Sequence, residues 1–469
     1  MFPDALEINQ PTPEIATWHS RWALNRAFVA GETAVKLLGE ALLPKMRADD
    51  GPEHYRRHLL NTVFYPATTK IALGIQGLIA RKPAEFTSTS ERVTLLARSI
   101  TPRNQGLDQL SRELVREALI TNFTGLLTDH PPKDQFTGLN AENAARKGYR
   151  PRVALYRGES ILEVTEGPVG LNHQIINVRL LEDKGRRVRQ LLINDEGFYE
   201  QRVYRADTTG KFDRTRFTRS IPTIGDTPLT EIPFELVTTG DGTEPSPSML
   251  ESTVDLNLAH YRLSGLLSNL VWQTSGPVVT ITGFERDKDE QGVEIDPVWD
   301  FGPNGVIEVR SPDAEIGYHI FDPKNAELLV RQIEGVKTDL STLGHSILAP
   351  EKAAPEAPEV ILLRRVAEYA TLASLADLLS KRIEASLTWF ARWVDGGTVS
   401  YSLNGDFQPS GITSAEHKEL RDDYLNGAIR LETYLAALQS GEVLDATLDP
   451  AVEAELARAE SGDRPTLDI

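Results

Sequence analysis

The sequence of 469 residues contains no cysteine. That one absence excludes disulfides, thiolate metal sites and thiol nucleophiles, and it fits folding in a reducing cytosol. No uninterrupted apolar run is long enough to cross a bilayer. Met1-Phe2-Pro3-Asp4 is not a basic region followed by an apolar one, so no secretory signal is expected. Neither a GxxxxGK[ST] phosphate loop nor a GxSxG nucleophile elbow occurs, and no short internal repeat is visible. Positive charge is in short supply, with 50 Lys and Arg against 68 Asp and Glu and a net charge of −18. A protein that grips nucleic acid usually carries a basic face to neutralise phosphates, so tight DNA wrapping is not expected. An acidic surface suits plain solubility, and it also suits letting DNA pass without sticking.

What remains is ordinary for a soluble globular chain: 40% hydrophobic and 25% charged residues. The length predicts two to four domains. Apolar spacing near 3.6 predicts helices over 14–47 and 53–82, the second ending at Pro83. A third opens at "GLDQLSRELVREALITNF", with Asp108 as its N-cap and Leu110, Leu114, Leu119 and Phe123 on its apolar face. Residues 149–238 change to short segments rich in β-branched and aromatic residues, which reads as an antiparallel β region. "TTGDGTEPSPS" then breaks the chain.

A helix over 248–273 is expected, with Ser248 and Glu251 forming a capping box. Between 278 and 321, "VVTITGF", "VIEVR" and "IGYHIF" read as strands of a small β element. Helix resumes at Asp322-Pro323, an N-cap followed by proline, with Leu329, Ile333, Val336, Leu340 and Leu343 at spacings of four and three. Gly344 is expected to end it in a left-handed conformation. The stretch "LGHSILAPEKAAPEAPEVILLRRV" follows, a proline- and alanine-rich connection, longer than compact domains keep without a use. A long helix runs from about Glu359 to Trp393, then a short strand, "TVSYSLNGDF", and a helical, acidic tail. Fourteen acidic and five basic residues follow Asn404.

Candidate chemistry is sparse. His54 and His58 stand at i and i+4 in "HYRRH" and could face one metal, but Tyr55 occupies the place where a zinc hydrolase needs its glutamate. Two surface histidines beside Arg56 and Arg57 are the simpler reading. "DFG" at Asp300 to Gly302 lacks a preceding HRD loop and reads as a turn. "GDGTEPSP" could cradle an anion but reads better as a linker. "RRH", "KGRRVR" and "LLRR" could touch phosphates, but each is short, and solvated faces with local ion pairs are the simpler reading. No catalytic, cofactor or metal site is expected.

The order of elements is more specific than any of these motifs. A helical and β N-terminal half leads through a linker to one long helix, a small β insert, a second long helix, a long loop, a very long helix and a helical tail. This order resembles the portal proteins of tailed bacteriophages, most closely a subfamily formerly labelled a domain of unknown function. Three stretches carry the resemblance: "YRRHLLNTVFYPATTKIALGIQGLIARKP", "IPFELVTTGDGTEPSPSMLESTVDLNLAHYRLSGLLSNLVWQTSGPVVTITG" and "GEVLDATLDPAVEAELARAE".

The resemblance implies a mainly helical α+β portal fold with antiparallel β elements in wing and clip. Residues 1–247 would be the wing, 248–274 the first stem helix, 275–321 the clip and 322–344 the second stem helix. Residues 345–358 would be the tunnel loop, 359–404 the long wing helix and strand, and 405–469 the crown. It implies a homo-oligomeric ring, a dodecamer, at one capsid vertex, through which double-stranded DNA is packaged and ejected. Partners would be the terminase large subunit, head–tail adaptors and the major capsid and scaffolding proteins, with no membrane, no cofactor and no enzymatic activity. The chain would reside at the portal vertex of the virion, and in host cytoplasm during assembly. Gly344, His345, Ser346, Pro350, Lys352 and Pro355 would face the channel in the tunnel loop, Arg331 and Lys337 would lie on the stem, and Arg286, Lys288, Asp300 and Arg310 would serve docking at the clip. The channel lining would be mostly negative with isolated basic positions. Two other readings stand beside it: a metal-dependent nucleic-acid-processing enzyme of the packaging machinery using His54 and His58, and a different virion structural protein.

Overall fold

The structure is a computed structural model that describes residues 7–131, 148–169, 172–274, 278–283, 286, 291–292, 294, 315–319, 324–348, 358–407, 414–441, 443–444 and 448–462. The fold is α+β, with helices and several antiparallel sheets. The chain divides into two units, residues 1–405 and residues 406–469. Among the described residues, no helix is long and apolar enough to cross a membrane.

The first unit opens with helices α1 (Pro13–Ala16), α2 (His19–Ala30) and α3 (Glu32–Leu37). The continuous helix expected over 14–47 is thus broken. Gly31 sits at φ 98°, a left-handed value that glycine tolerates and that stops α2. The helix expected over 53–82 is also two, α4 (Pro52–Asn61) and α5 (Ala67–Ile79). Pro66 stands directly before α5, where its fixed φ and missing N–H cost nothing. A short α6 (Glu91–Ala97), capped by the Ser90 hydroxyl accepting from the Val93 N–H at 3.2 Å, precedes α7 (Leu107–Thr121). The N-cap of α7 is Gly106, and Asp108 falls in its first turn, where a carboxylate still favours the helix dipole. Asn122, at φ 49°, ends it in the left-handed region.

The β region holds two main sheets. Strands β2 (Thr124–Asp129), β3 (Arg152–Tyr156) and β11 (Phe234–Val237) form a three-stranded sheet in the order β11-β2-β3. Strands β4 (Ile161–Val169), β5 (Asn172–Glu182), β6 (Arg187–Ile193), β7 (Tyr199–Ala206) and β8 (Phe212–Ser220) form an antiparallel meander. The edge strand β8 reads FDRTRFTRS and is exposed over most of its length; its charges discourage pairing with another edge. β1 (Glu85–Ser88) pairs with β14 (Val399–Ser402) across most of the chain's length, and β9 (Thr223–Ile224) with β10 (Thr227–Pro228).

Two longer helices follow, α8 (Glu251–Thr274) and α9 (Lys324–Leu348), with strands β12 (Val278–Thr282) and β13 (Glu315–His319) between them. Helix α10 (Pro358–Val394) then packs under the three-stranded sheet. Its buried positions Leu372, Ala376, Leu379, Ile383, Leu387 and Phe390 recur at three and four, the period of a single stripe. Ser380 and Glu384 on the same helix accept the N–H groups of Leu403 at 2.9 Å and Tyr401 at 3.0 Å, which pins β14 to it. One apolar core joins Trp22, Phe123, Ile161, Leu180, Tyr199 and Trp389, bringing helices and both sheets onto one centre.

The second unit consists of α11 (Ser414–Leu425), α12 (Leu431–Ser440) and α13 (Pro450–Gly462). Tyr424 stacks on Tyr434 with ring centroids 5.2 Å apart, and Phe407, Leu438 and Ala454 are the buried apolar positions among the unit's described residues.

Candidate functional site

The pair α8 and α9, with the β12–β13 ladder between them, is the part of the chain on which the sequence-derived sites concentrate. The ladder is antiparallel, from Val278 opposite His319 to Thr282 opposite Glu315. Because the connection returns through it, α8 and α9 run antiparallel against each other.

The first half of α8 is held from every side by side chains distant in sequence. Arg21 forks onto Asp255, Nη1 2.6 Å from Oδ1 and Nη2 3.0 Å from Oδ2, and also reaches Glu251 at 3.1 Å. Asn257 is fully buried: its Oδ1 accepts from the Thr68 N–H at 3.1 Å and hydroxyl at 2.9 Å, while its Nδ2 donates to the Tyr65 carbonyl at 2.9 Å. Arg262 donates to the Leu42 carbonyl at 2.9 Å. Val254 and Tyr261 bury their side chains in an apolar cluster with Phe28, Leu43 and Phe64. The expected capping box is not formed. The Ser248 hydroxyl accepts from Asn25 and its carbonyl from the Glu251 N–H, while the Glu251 carboxylate is drawn to Arg21.

Helix α9 is covered on one side only. Leu340 and Gly344 are buried, whereas Leu328, Val330, Arg331, Glu334, Thr338 and Asp339 are exposed. Gly344 does not end the helix, which continues through His345 and Ser346 to Leu348. A Cβ at Gly344 would lie 3.1 Å from two carbons of Ile71, so its glycine serves the close approach of α9 to α5. The expected loop therefore starts later than Gly344. Pro350, Lys352 and Pro355 lie outside the described residues.

The stem positions separate. Arg331 is exposed, but Lys337 places its ammonium 5.3 Å from the centre of the Tyr65 ring, a cation–π contact within the chain. Of the four docking positions, Arg286 is described and faces Glu294 at 3.7 Å; Lys288, Asp300 and Arg310 lie outside the described residues, as do Asp322, Pro323 and the expected strand "VIEVR". Apolar side chains stay uncovered toward the β end of the helical pair. Leu266 on α8, Ile316 on β13 and Leu328 and Val330 on α9 are 44%, 40%, 58% and 39% exposed.

His54 and His58 line one small pocket with Ser268, Asn269 and Trp272 of α8, but their surroundings differ. His54 Nδ1 lies 3.0 Å from Asp50, and its ring meets Trp272 edge-on. His58 is buried between α4 and α8, and neither ring nitrogen has a hydrogen-bond partner. Burial, with His54 nearby, holds its pKa below the usual histidine range, and Asp50 opposes that shift. Among the described residues, no group of three His, Asp or Glu is placed to hold a metal ion. The basic runs HYRRH and KGRRVR are engaged within the chain, whereas the side chains of Arg364 and Arg365 in LLRR lie outside the described residues. Arg56 faces Glu53, Arg57 lies over Trp272, and Arg187 and Arg189 both bind Glu182. The linker after β11 is not an open anion cradle: Asn122 Nδ2 donates to the hydroxyls of Thr239 and Ser246 and to the Pro247 carbonyl.

Arg21, Asn122 and Asn257 had no signature in the sequence, because each works through partners about 120 or more residues away.

Residues 249–394 match the family described as a domain of unknown function, DUF4055. No curated protein matches the chain. Among solved structures, the chain is similar to the neck of a native gene transfer agent particle computed with C12 symmetry, at 14% identity and a TM-score of 0.39, covering 87% of this chain and 98% of that one. It is also similar to the neck of the empty particle computed with C6 symmetry, at 14% identity and a TM-score of 0.38, covering 81% and 92%. A chain in the virion of the native particle matches at 11% identity and a TM-score of 0.36, covering 86% and 98%.

Proposed function

We propose that the chain is a portal subunit, a virion structural protein whose copies close into a ring around a DNA channel. The observation that carries this reading is the antiparallel helical pair with a β ladder between its helices and apolar side chains uncovered toward that end. Leu266 on α8 and Leu328 and Val330 on α9 cost free energy in water, and exposed apolar surface of this kind is what a subunit interface covers. A closed ring forms when one face of a subunit binds a different face of the next and the rotation closes. The helical pair offers two such faces, α8 and the outer side of α9.

In this reading α8 and α9 are the stem, and the β12–β13 end docks the packaging terminase and later the head–tail adaptor. The chain works by passage, without catalysis. An excess of negative charge, −18 overall, avoids the salt-dependent phosphate contacts that would hold DNA in the channel. No observation favours the metal-dependent reading.

Negative-stain images and sedimentation of the purified chain test the proposal. Rings with a central channel are expected, and replacing Leu266 and Leu328 together with glutamate should leave folded single subunits. A monomer at every concentration, or rings indifferent to that double substitution, would sink it.

A further inference from the structure

We propose that Arg150 and Arg152, held against the loop between α6 and α7, form a binding site for a phosphoryl group, free in solution or carried by a nucleic-acid backbone. Arg150 stands just before β3, and Arg152 opens it. The two guanidiniums converge on one amide oxygen: Asn104 Oδ1 accepts from Arg150 Nη2 at 2.8 Å and from Arg152 Nη1 at 3.4 Å. Arg150 Nη2 also donates to the Ser99 hydroxyl at 2.9 Å, and Arg152 Nη1 to the carbonyls of Pro102 at 2.9 Å and Thr101 at 3.4 Å. Each of these partners is a neutral oxygen. They position the two side chains without compensating either charge, and among the described residues neither arginine has a carboxylate partner. Arg26, Arg179 and Arg189, by contrast, each meet a carboxylate.

The backbone builds this arrangement. Asn104 sits at φ 61°, a left-handed value that asparagine tolerates, and its N–H donates to the Thr101 carbonyl at 3.0 Å. The Val153 N–H donates to the Ile100 carbonyl at 3.0 Å, so the loop lies along the start of β3. Gly148, at φ 96°, lets the chain pass close by, since a Cβ there would lie 3.3 Å from Arg152 Nη2. Holding two like charges together costs free energy that an anion between them returns. Burial, and then the charge of Arg150, hold the Arg152 pKa below the usual arginine value, with no carboxylate opposing them. In a chain of net charge −18, an uncompensated pair of this kind is where an outside anion gains most. Each guanidinium has five N–H donors, and the bonds above use one nitrogen of each. A phosphoryl group offers three or more oxygens and can accept from both guanidiniums at once, whereas the two oxygens of a carboxylate are filled by one arginine fork.

The test titrates the full-length chain with inorganic phosphate and with acetate by calorimetry, at an ionic strength held with chloride, and with a fluorescein-labelled duplex DNA by fluorescence polarisation. Phosphate should bind at one site per chain and lose affinity by about ten-fold or more in Arg150→Gln. Arg116→Gln, exposed farther along α7, changes net charge equally and should bind as the parent does. Arg152→Lys keeps the charge but not the fork, so it should weaken phosphate binding in a chain that circular dichroism shows folded, which separates loss of the site from loss of the fold. Duplex binding that falls in the same variants assigns the phosphoryl group to a nucleic-acid backbone, and phosphate binding without duplex binding assigns it to a free ligand. The proposal is overturned if phosphate does not bind, if acetate binds as tightly, if Arg150→Gln binds like the parent, or if Arg116→Gln weakens binding as much. None of these readouts depends on ring assembly, so the proposal stands or falls apart from the portal reading.

Discussion

Arg189 and Asp129 meet at 2.8 Å across the junction of the two main sheets, Nη1 to Oδ2. The same guanidinium binds Glu182 through Nε at 3.0 Å and Gln201 at 3.1 Å, and the Tyr156 hydroxyl donates to Glu182. Burial by itself would oppose the charge of Arg189, but the carboxylates around it hold its pKa above the usual arginine value. Asp129 ends β2 of the three-stranded sheet and Arg189 belongs to β6 of the meander, so this one side chain fastens one sheet to the other.

Arg189→Met should therefore be strongly destabilising, because it takes the facing guanidinium from Asp129 in a partly dry junction, while Glu182 keeps Arg187 and the Tyr156 hydroxyl. A loss of about 3 kcal/mol is expected from breaking such a pair on one side. Adding Asp129→Asn should return part of that loss, since one orphaned charge is then removed. Urea unfolding of the two single variants and the double variant measures the coupling. A single-variant loss below about 1 kcal/mol would place the contact with exposed ion pairs and count against a fastening role.

Two glycines on the helical pair should respond in opposite senses to alanine. A Cβ at Gly265 would lie 2.7 Å from Leu43 Cδ1 and 3.2 Å from His58 Cε1, inside the packed seam between α4 and α8. The gain of about 1 kcal/mol from alanine in a helix is outweighed by overpacking, which costs about 1–3 kcal/mol where neighbours cannot move freely. At Gly335 on α9 nothing lies within 4 Å of the added Cβ, so the propensity gain should appear undiminished. Thermal unfolding of Gly265→Ala and Gly335→Ala checks both signs, and a stabilised Gly265→Ala would show that the seam relaxes at little cost.

The sequence pattern disclosed the helical pair and the long α10 through apolar spacing near 3.6, and the β region of the meander through short segments rich in β-branched and aromatic residues. It concealed β2, which is buried on both faces; TGLLTD has no alternation to betray a strand. It also merged α2 with α3 and α4 with α5, since apolar spacing continues across Gly31 and Pro66 while the backbone does not. Gly344 misled for a related reason. A glycine near an expected helix end fits a terminator, but here the missing Cβ admits Ile71 from α5, a contact that no local pattern encodes. The candidate basic positions were visible as letters, but their engagement was not: Lys337 finds Tyr65, and Arg189 finds Asp129, through packing across the fold.

Acid should weaken the fold well before the carboxylates titrate. His58 and His260 are both held below the ordinary histidine pKa, chiefly by burial, with His54 adding to the effect at His58 and Lys337 at His260. His19 and His130 are lowered too, again chiefly by burial. A depressed histidine pKa means the unfolded chain takes up the proton first. Stability is then fully present above about pH 6.5 and falls as the pH drops below it, until the folded-state pKa is reached. Each such histidine adds at most about 1.4 kcal/mol per pH unit in that window. Glu182 and Glu200, whose pKa values are lowered, contribute their loss only below the ordinary glutamate range near 4.3. His58→Leu removes one titrating group at a position where neither ring nitrogen has a partner to lose. Its urea midpoint should therefore fall less steeply between pH 7 and pH 5 than that of the parent chain. An unchanged slope would mean that His58 takes up its proton in the folded state as readily as in the unfolded one.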